Sequence, residues 1–285
     1  MLIAPANLLA PYISHYRVTR LAHGQATYLS ATSTPTLVVF RRGEVWFHHG
    51  NLPPGPSLPA YIEGPFLYPR HSYANAYTEI ISVHFRPSML EHIISLPVSE
   101  FSHHCIPLAD LLCPQLAMLA ADVVDAPCID EAIKQTELRL MGLVAQNMQQ
   151  RRKAKPLRIK PEFIHQPTKA VAALEGLSVR QLERRFQASY GVTLRDWRRL
   201  DRATRALVSL TLFSNDSNIA EIAHNANYFD HAHMCRDFRE LCGVSPLEFR
   251  RRLICDPSYW PFRELGKIIN PECRIRTSEN SPYVG

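Results

Sequence analysis

The chain has 285 residues, of which 46% are hydrophobic and 20% are charged. This composition is typical of globular proteins, and the length accommodates about two domains. The sequence has no apolar run as long as the roughly eighteen residues of a membrane-spanning helix. Its first residues lack a positive segment ahead of an apolar one, so we do not expect a secretory signal. A cytoplasmic protein is therefore expected.

The cysteines are scattered along the chain, seven in number, and none stands in a CxxC pair. A disulfide framework or a tetrahedral zinc site normally shows tighter, paired spacing. We therefore expect reduced thiols, with neither a structural disulfide nor zinc. The cysteines are Cys105, Cys113, Cys128, Cys235, Cys242, Cys255 and Cys273.

Positive charge is concentrated in one segment. Residues 1–150 hold eight Lys and Arg against eleven Asp and Glu, a net charge of −3. Residues 151–255 hold twenty against eleven, a net charge of +9, and the last thirty residues balance at four against four. No lysine occurs from Arg180 to Arg252, so arginine supplies the excess there. Because the guanidinium fork suits phosphates and guanine edges, the segment's expected partner is a nucleic acid.

The first part of the chain carries strand patterns followed by helix patterns. Short β-type runs at 36–40, 44–47 and 79–85 predict strands, and the Arg41-Arg42-Gly43 connection favours a hairpin between the first two. From 110 to 150, apolar residues recur three and four apart, as in amphipathic helices. Strands before helices predict an α+β N-terminal domain, built as a small β-barrel or as a sheet plus helices.

Composition also suggests the domain boundaries. The segment 151–160 is highly charged and contains proline, which is typical of a linker. We therefore divide the chain into an N-terminal sensor or dimerisation domain (1–150), a linker (151–164), a basic domain (165–255) and a tail (256–285). The tail has four prolines and no clear period, so it stays unassigned, with disorder as one alternative.

The basic domain contains an internal repeat. A shift of 52 positions lays residues 178–199 over residues 230–251 without a gap. Chemical type is preserved at about half of the matched positions. The matched pairs include Arg184 with Arg236, Phe186 with Phe238, Gly191 with Gly243, Val192 with Val244, Trp197 with Phe249, and Arg198-Arg199 with Arg250-Arg251.

Each copy reads as a helix with its own start and stop. Ser178 and Asp230 are good N-caps, and a glycine follows each helix where a left-handed residue can end it. Before the second copy, Asn218 opens a short helix, and Asn227 stands where a tight turn needs positive φ. A short helix, a turn and a second helix make a helix-turn-helix. The apolar stripe of the second helices is Leu182 with Phe186 and Met234 with Phe238.

One long helix is predicted between the two units. Residues 193–212 carry a continuous apolar face, and about twenty residues span about 30 Å. One turn of B-DNA is about 34–36 Å. The connector could therefore set the two second helices into successive major grooves on one face of a duplex.

Two stretches bring a known family into view. LSVRQLERRFQASYGVTLRDWRRLDRATRAL and NIAEIAHNANYFDHAHMCRDFRELCGVSPLEFRR resemble the C-terminal domain of AraC/XylS-type transcription regulators, over about residues 165–253. The resemblance implies an all-α, seven-helix domain with two helix-turn-helix units, in a bacterial regulator, usually an activator, that recruits RNA polymerase. The N-terminal part, around EIISVHFRPSMLEHIISLPVSEF, is only loosely similar to sensor domains of the family. Asn227 departs from the glycine usual at its position, whereas Gly176 of the first unit is retained.

The resemblance carries the DNA-reading positions to the outward faces of the second helices, opposite the apolar stripe. Arg180 and Arg184 are expected to bond guanine edges, and Glu183 either accepts from cytosine or pairs with an arginine. A solvated arginine face is the alternative. The predicted base-reading residues are Val179, Arg180, Glu183, Arg184, His231, Ala232, Cys235 and Arg236. Arg198, Arg199, Arg250 and Arg251, just past each unit, are predicted to contact phosphates or else to be ordinary surface arginines.

The N-terminal domain offers little chemistry. Nine of the thirteen histidines precede residue 105, yet no H-x-H strand pattern with a downstream glutamate occurs, so we expect no metal. No G-x-S-x-G elbow, phosphate loop or paired acidic motif appears, so neither catalysis nor a cofactor is expected. Its aromatic residues could line a pocket, although core packing is the stronger interpretation. These are Trp46, Phe47, Tyr61, Phe66 and Tyr68.

Three hypotheses follow for the whole chain. The favoured one is a regulator of double-stranded DNA with a small-molecule effector, RNA polymerase as a further partner and a possible homodimer. The second is an enzyme targeted to DNA that accepts alkyl groups on a cysteine. Cys105, Cys113 and Cys128 lie in apolar or acidic sequence, which disfavours a reactive thiol. The third is a regulator whose N-terminal domain only dimerises.

Overall fold

The computed structural model describes residues 1–48, 58–94, 96–150, 157–160, 162–212 and 218–269. The N-terminal domain holds nine strands and three α-helices in these residues. The strands are β1 (Leu2–Ile3), β2 (Ile13–Leu21), β3 (Gln25–Leu29), β4 (Thr36–Arg42), β5 (Val45–His48), β6 (Ala60–Glu63), β7 (Arg70–Ala74), β8 (Thr78–Phe85) and β9 (Cys105–Pro107). The helices are α1 (Glu91–Ile94), α2 (Pro114–Asp125) and α3 (Ile129–Gln150).

The strands form two antiparallel sheets. The larger sheet has the order β1-β2-β8-β4-β6-β9, and the smaller one has the order β3-β7-β5. Neither sheet closes into a barrel in the part of the chain that the structure describes. The sheet-plus-helices form of the predicted α+β domain is therefore the one observed.

The predicted hairpin between β4 and β5 is wrong. β4 pairs with β6 and β8, whereas β5 pairs with β7 in the other sheet. Gly43, at φ 77°, turns the chain from one sheet to the other, and the Glu44 amide donates to the Asn75 side chain at 2.9 Å. The two strands lie close in sequence but pair with distant partners. A local turn signal does not indicate which strands will pair.

Alternation along β4 divides the interior into two layers, because successive strand residues face opposite sides of a sheet. Leu37 and Val39 face α2 and α3, in a core that also holds Leu116 and Leu140. Val38 and its neighbour Phe40 belong to the layer between the two sheets. This second layer contains two of the aromatic residues singled out from the sequence, Phe47 and Tyr61.

A buried ion pair between β6 and β7 lies next to the layer between the two sheets. Arg70 on β7 is almost fully buried and bonds Glu63 on β6 at 2.8 Å, with its guanidinium 3.5 Å from the Phe66 ring centroid. Burial opposes the charge of Arg70, but Glu63 raises the arginine's pKa above its ordinary value. The charged pair is therefore kept within an otherwise apolar layer.

The C-terminal domain is all-α. Its helices are α4 (Thr168–Leu174), α5 (Val179–Tyr190), α6 (Leu194–Leu212), α7 (Ile219–Asn225), α8 (His231–Cys242) and α9 (Pro246–Cys255). The described residues of 165–255 thus hold six α-helices, where the family resemblance implies seven. Ahead of α4, residues 157–160 and 162–167 form no helix, and prolines at 161 and 167 disfavour one. No helix in the described ranges is long and apolar enough to cross a membrane.

The segment predicted as linker takes part in the core, as far as it lies within the described residues. Leu157, Ile159 and Ile164 are buried against α4 and α5. The amide of Leu157 donates to Ser189 Oγ at 3.1 Å, and that of Ile159 donates to the Tyr190 hydroxyl at 3.1 Å. Residues 157–160 and 162–164 therefore anchor the C-terminal end of α5. Residues 151–156 lie outside the described ranges.

Disorder is the wrong alternative for the first half of the tail. Residues 257–259 form a 3₁₀ turn, and α10 spans Trp260–Ile269. Tyr259 and Phe262 are buried in the same core as Phe249 of α9, and Tyr259 stacks on Tyr28 of β3 at 4.6 Å. The aromatic residues explain the order, because two buried rings contribute several kcal/mol. Residues 270–285 lie outside the described residues.

We expect acid to destabilise the fold through His84. This ring on β8 stacks on His15 of β2 at 4.3 Å, and burial, with His15 and Arg17, lowers the pKa of His84 to about 3. The unfolded chain takes up this proton below about pH 6.5, whereas the folded chain does so only near pH 3. The free energy of unfolding should therefore decrease as the pH is lowered across that window, by up to about 1.4 kcal/mol per pH unit.

Urea unfolding of the wild type and His84→Phe at several pH values checks this. The variant keeps a ring for the stack and should lose the part of the slope that His84 contributes, whereas His15, whose pKa burial also lowers, should keep its own part. His23→Phe, at an exposed histidine, is the matched control and should retain the full slope. An unchanged slope in His84→Phe would contradict the assignment.

Candidate nucleic-acid interface

The first helix-turn-helix unit consists of α4, a turn at Gly176 and α5. Gly176 has φ 64°, and its Cβ-free position lets the chain reverse. Ser178 starts α5 with a capping box: its side chain accepts from the Gln181 amide, and the Gln181 side chain accepts from the Ser178 amide. Gly191 ends α5 at φ 77°. The start and stop predicted for the first copy of the repeat are confirmed.

The second unit consists of α7, a turn at Asn227 and α8. Asn218 caps α7 by accepting from the Ala220 amide at 2.9 Å, and Asp230 caps α8 by accepting from the His233 amide at 2.6 Å. Gly243 ends α8 at φ 65°. Asn227 takes φ 62°, as its position predicts, in a region that asparagine tolerates better than most residues.

The apolar stripe of each second helix is buried, as the spacing predicts. Leu182 and Phe186 of α5 are fully buried, and so are Met234 and Phe238 of α8. The opposite faces of both helices must therefore point away from the protein core. These two outward faces, with the residues just after each unit, are called here the reading surface.

The predicted base-reading residues fall on the reading surface. On α5, Arg180, Glu183 and Arg184 are exposed, and Val179 is half-buried at its start. On α8, the exposed residues are His231, Ala232 and Arg236, with Cys235 half-buried. The His231 ring nitrogen Nε2 lies 3.3 Å from the Cys235 sulfur. The predicted set is thus placed together on each helix, and its contacts with bases stay a prediction.

Arg198 has structural contacts that sequence reasoning did not foresee. Its guanidinium donates to the carbonyls of Ile164 at 2.7 Å and Gln166 at 2.5 Å, and to the Thr168 hydroxyl at 3.3 Å. It therefore ties α6 to the segment that leads into the first unit. Contact of Arg198 with phosphate stays a prediction beside this role.

Arg199 likewise joins the connector helix to the second unit. It bonds Asp237 of α8 at 3.0 Å and also contacts Glu240, and Arg202 lies 3.5 Å from the same aspartate. Asp237 is buried, so these arginines hold α8 at a fixed place on α6. Sequence reasoning missed Asp237. The signal was an acid at the position that Arg185 occupies in the first copy.

The pair after the second unit lies at the edge of the reading surface. Arg251 is exposed and bonds Glu248 at 2.7 Å, whereas Arg250 is half-buried. Hydrogen bonds from Arg251 and Arg252 lower the pKa of Glu248 to about 2. This pairing orients Arg251 at the edge of the surface, and its predicted phosphate contact remains untested.

The N-terminal domain contacts the C-terminal end of both second helices. The Tyr28 hydroxyl donates to the Cys242 carbonyl, and the Ala31 amide donates to the Leu241 carbonyl at 2.8 Å, at the end of α8. At the end of α5, the Ser102 hydroxyl donates to the Gly191 carbonyl. We call these contacts the clamp. Nothing in the local sequence signals it, because its residues lie far from their partners along the chain.

Two proline contacts extend the clamp. Pro65 lies beside Gly191, and Pro69 lies beside Gly243, each so close that a Cβ on the glycine would collide or crowd it. The two prolines lie four positions apart on one short segment. One loop of the N-terminal domain therefore touches the ends of both second helices.

We expect the histidines and acidic side chains of the described residues to hold no metal. Within the described ranges, no group of three histidine, cysteine or acidic side chains is arranged to hold an ion. Several histidines of the N-terminal domain make ring contacts, such as His71 with Tyr28 and His103 with Tyr68.

Family models match both ends of the chain. A model described as a helix-turn-helix domain matches residues 171–252, from within α4 to beyond the end of the second unit. A domain of unknown function (DUF6597) matches residues 1–107. A search of curated proteins gave no match. The helix-turn-helix match and the two capped units confirm the AraC/XylS resemblance of the C-terminal domain.

Several solved structures resemble the chain at low identity. ToxT from Vibrio cholerae has 12% identity and a TM-score of 0.42, covering 83% of this chain and 97% of ToxT. ToxT with a bound unsaturated fatty acid has 11% identity and a TM-score of 0.41, covering 82% and 94%. The AraC-like transcriptional activator CuxR has 14% identity and a TM-score of 0.29, covering 65% and 74%.

Removal of a clamp hydroxyl should lower the stability of the protein. Tyr28→Phe and Ser102→Ala each remove one donor from a helix-end carbonyl, and each should lower the free energy of unfolding by about 0.5–1.5 kcal/mol. Urea unfolding measures this. Tyr73→Phe, which removes the hydroxyl of an exposed tyrosine of β7, is the control and should change little. Wild-type stability in both clamp variants would contradict a role for these bonds.

Proposed function

Because the C-terminal domain is an AraC-type helix-turn-helix domain, we propose that the chain is a transcription regulator that recognises specific sites in double-stranded DNA. The observation that carries the proposal is the pair of capped second helices, each with an exposed arginine-bearing face, joined through one helix. Arg180 and Arg184 read guanine edges in one groove, and Arg236 reads them in the other.

The connector supports binding to successive grooves. α6 runs from Leu194 to Leu212, a length of about 28 Å, which is close to one helical turn of DNA. The Arg199–Asp237 bond holds α8 on this helix. A rigid spacing of this kind favours a site with two blocks about one turn apart, and the differences between the units favour an asymmetric one.

Selection of bound DNA from a random pool, repeated across a salt series, tests this function. We expect two enriched blocks about one helical turn apart. Arg184→Ala should cost about 1–3 kcal/mol of discrimination at one base position, seen as relaxed preference in a second selection. Lys134→Ala, which removes an exposed charge from the N-terminal domain, is the control and should leave the preference intact. Binding without sequence preference would contradict the proposal.

We propose no catalytic role, and two of the cysteines support this. Burial raises the pKa of both Cys105 and Cys242 to about 12, which disfavours the thiolate that alkyl transfer needs. Glu63 beside Cys105 raises its pKa further. A methyl-transfer assay with alkylated DNA tests the alternative, and transfer of the alkyl group to the protein would revive it.

We also propose that a small molecule modulates DNA binding from the layer between the two sheets. The layer joins apolar side chains to the buried Arg70 guanidinium, which bonds Glu63 through Nη1 but whose buried Nε has no hydrogen-bond partner among the described residues. An aliphatic carboxylate suits this combination. β3 pairs with β7, so that Leu29 lies opposite Arg70, next to Tyr28 of the clamp. Movement of β7 would therefore reach the end of α8. RNA polymerase contact, activation, a cytoplasmic location and a homodimer belong to the same proposal, supported by the family resemblance.

Octanoate is the probe for this layer, and octan-1-ol, with the same chain but no carboxylate, is its control. We expect octanoate to raise the unfolding temperature and to change the Kd for the selected DNA, with a smaller effect of the alcohol. Calorimetry and DNA titration measure both. No response to octanoate in either measurement would remove this ligand class.

A further inference from the structure

Phe229 is the most exposed large aromatic side chain of the described residues, at 93% exposure. In the sequence it lies between Tyr228, which is buried, and Asp230, which is the N-cap of α8. The N-terminal end of a recognition helix is the part that meets base edges in the major groove. A full phenyl ring is therefore presented to water where the proposed function places DNA.

Folding does not account for an aromatic residue here. A hydrophobic residue just before an N-cap commonly packs on the fourth residue of its helix, as a staple. In the first unit the residue just before the N-cap, Leu177, does pack against the cluster that contains Leu182. Phe229 would have Met234 as its partner, but its exposure shows that it forms no such staple.

The backbone fixes the position from which Phe229 projects. Asn227 turns the chain at φ 62°, and the Tyr228 amide donates to the Ala223 carbonyl at 2.9 Å. The Tyr228 ring is buried and lies 5.4 Å from the Arg202 guanidinium, which in turn contacts Asp237. Because Tyr228 is anchored inward on the turn, its neighbour is held on the outer side.

We propose that Phe229 is a specificity-determining residue that packs its ring against a thymine C5-methyl group in the major groove. The inference rests on the proposed function. An apolar side chain distinguishes thymine by this methyl group, which cytosine and uracil lack. Phe229 adds an apolar contact beside the polar ones expected from His231 and Arg236, and so selects thymine at the edge of the second block.

Replacement of thymine by deoxyuridine isolates this contact, because it deletes the methyl group and keeps the base-pairing edge. With DNA chosen by selection, each thymine of the second block is replaced in turn. We expect one replacement to weaken wild-type binding by about fourfold, the effect of one buried methyl group. For Phe229→Ala, that replacement should have no further effect, and Phe229→Leu should retain part of it.

Leu247→Ala is the matched control, since Leu247 is another exposed apolar residue of the same domain, at 62% exposure. It should keep the wild-type response to deoxyuridine. Thermal unfolding should be unchanged in both Phe229 variants because the ring contributes little to the core. A change in Kd is thus attributable to the interface.

The outcomes separate the two proposals. If the wild type selects a DNA site but no deoxyuridine replacement weakens binding, or if Phe229→Ala keeps the full response, the thymine contact is overturned while the regulator stands. If Phe229→Ala weakens binding equally to the thymine site and to the deoxyuridine site, the ring contacts the sugar-phosphate backbone, and the thymine contact is again overturned. If the wild type selects no site, the proposed function itself fails.

Discussion

The arrangement of the reading surface depends on how the C-terminal ends of α5 and α8 are satisfied. A helix leaves its last carbonyl groups without intrahelical partners, and these ends carry partial negative charge. Here donors from the N-terminal domain meet them: Ser102 at Gly191 in one unit, and Tyr28 and Ala31 at the end of α8 in the other. The glycine caps at φ 77° and 65° bring the chain close enough for these contacts.

These contacts give the proposed effect of a ligand on DNA binding a reciprocal consequence. If a ligand in the N-terminal domain changes the affinity for DNA, DNA must change the affinity for that ligand by the same factor. The path is short, because Tyr28 belongs to the small sheet that carries Arg70, and Tyr259 of the tail stacks on Tyr28. The tail belongs to the same contact region, since Phe262 of α10 is buried in the cluster that contains Tyr28.

Local signals predicted the second helices well, and long-range pairing was beyond them. Ser178, Asp230 and the two glycines act through neighbours within a few residues, so their roles follow from spacing alone. The hairpin at Gly43 failed because strand partners are chosen across the whole domain. The contacts of Arg198 and Arg199 were missed for the same reason: their partners lie thirty or more positions away. The predicted base-reading residues lie on the exposed faces of α5 and α8, as their spacing predicted, and their contacts with bases stay a prediction.

The two copies of the repeat differ in the residues that fix them to the rest of the domain. In the first copy Gly176 and Leu177 make a compact turn with the leucine packed inward. In the second, Tyr228 takes the inward position and the next residue is displaced to the surface. Asp237 then binds α8 to the connector, at a position where the first copy has an arginine. Anchoring α8 by a buried charge and an inward tyrosine is what leaves an aromatic ring on its outer edge, so the asymmetry of the surface follows from the asymmetry of its anchors.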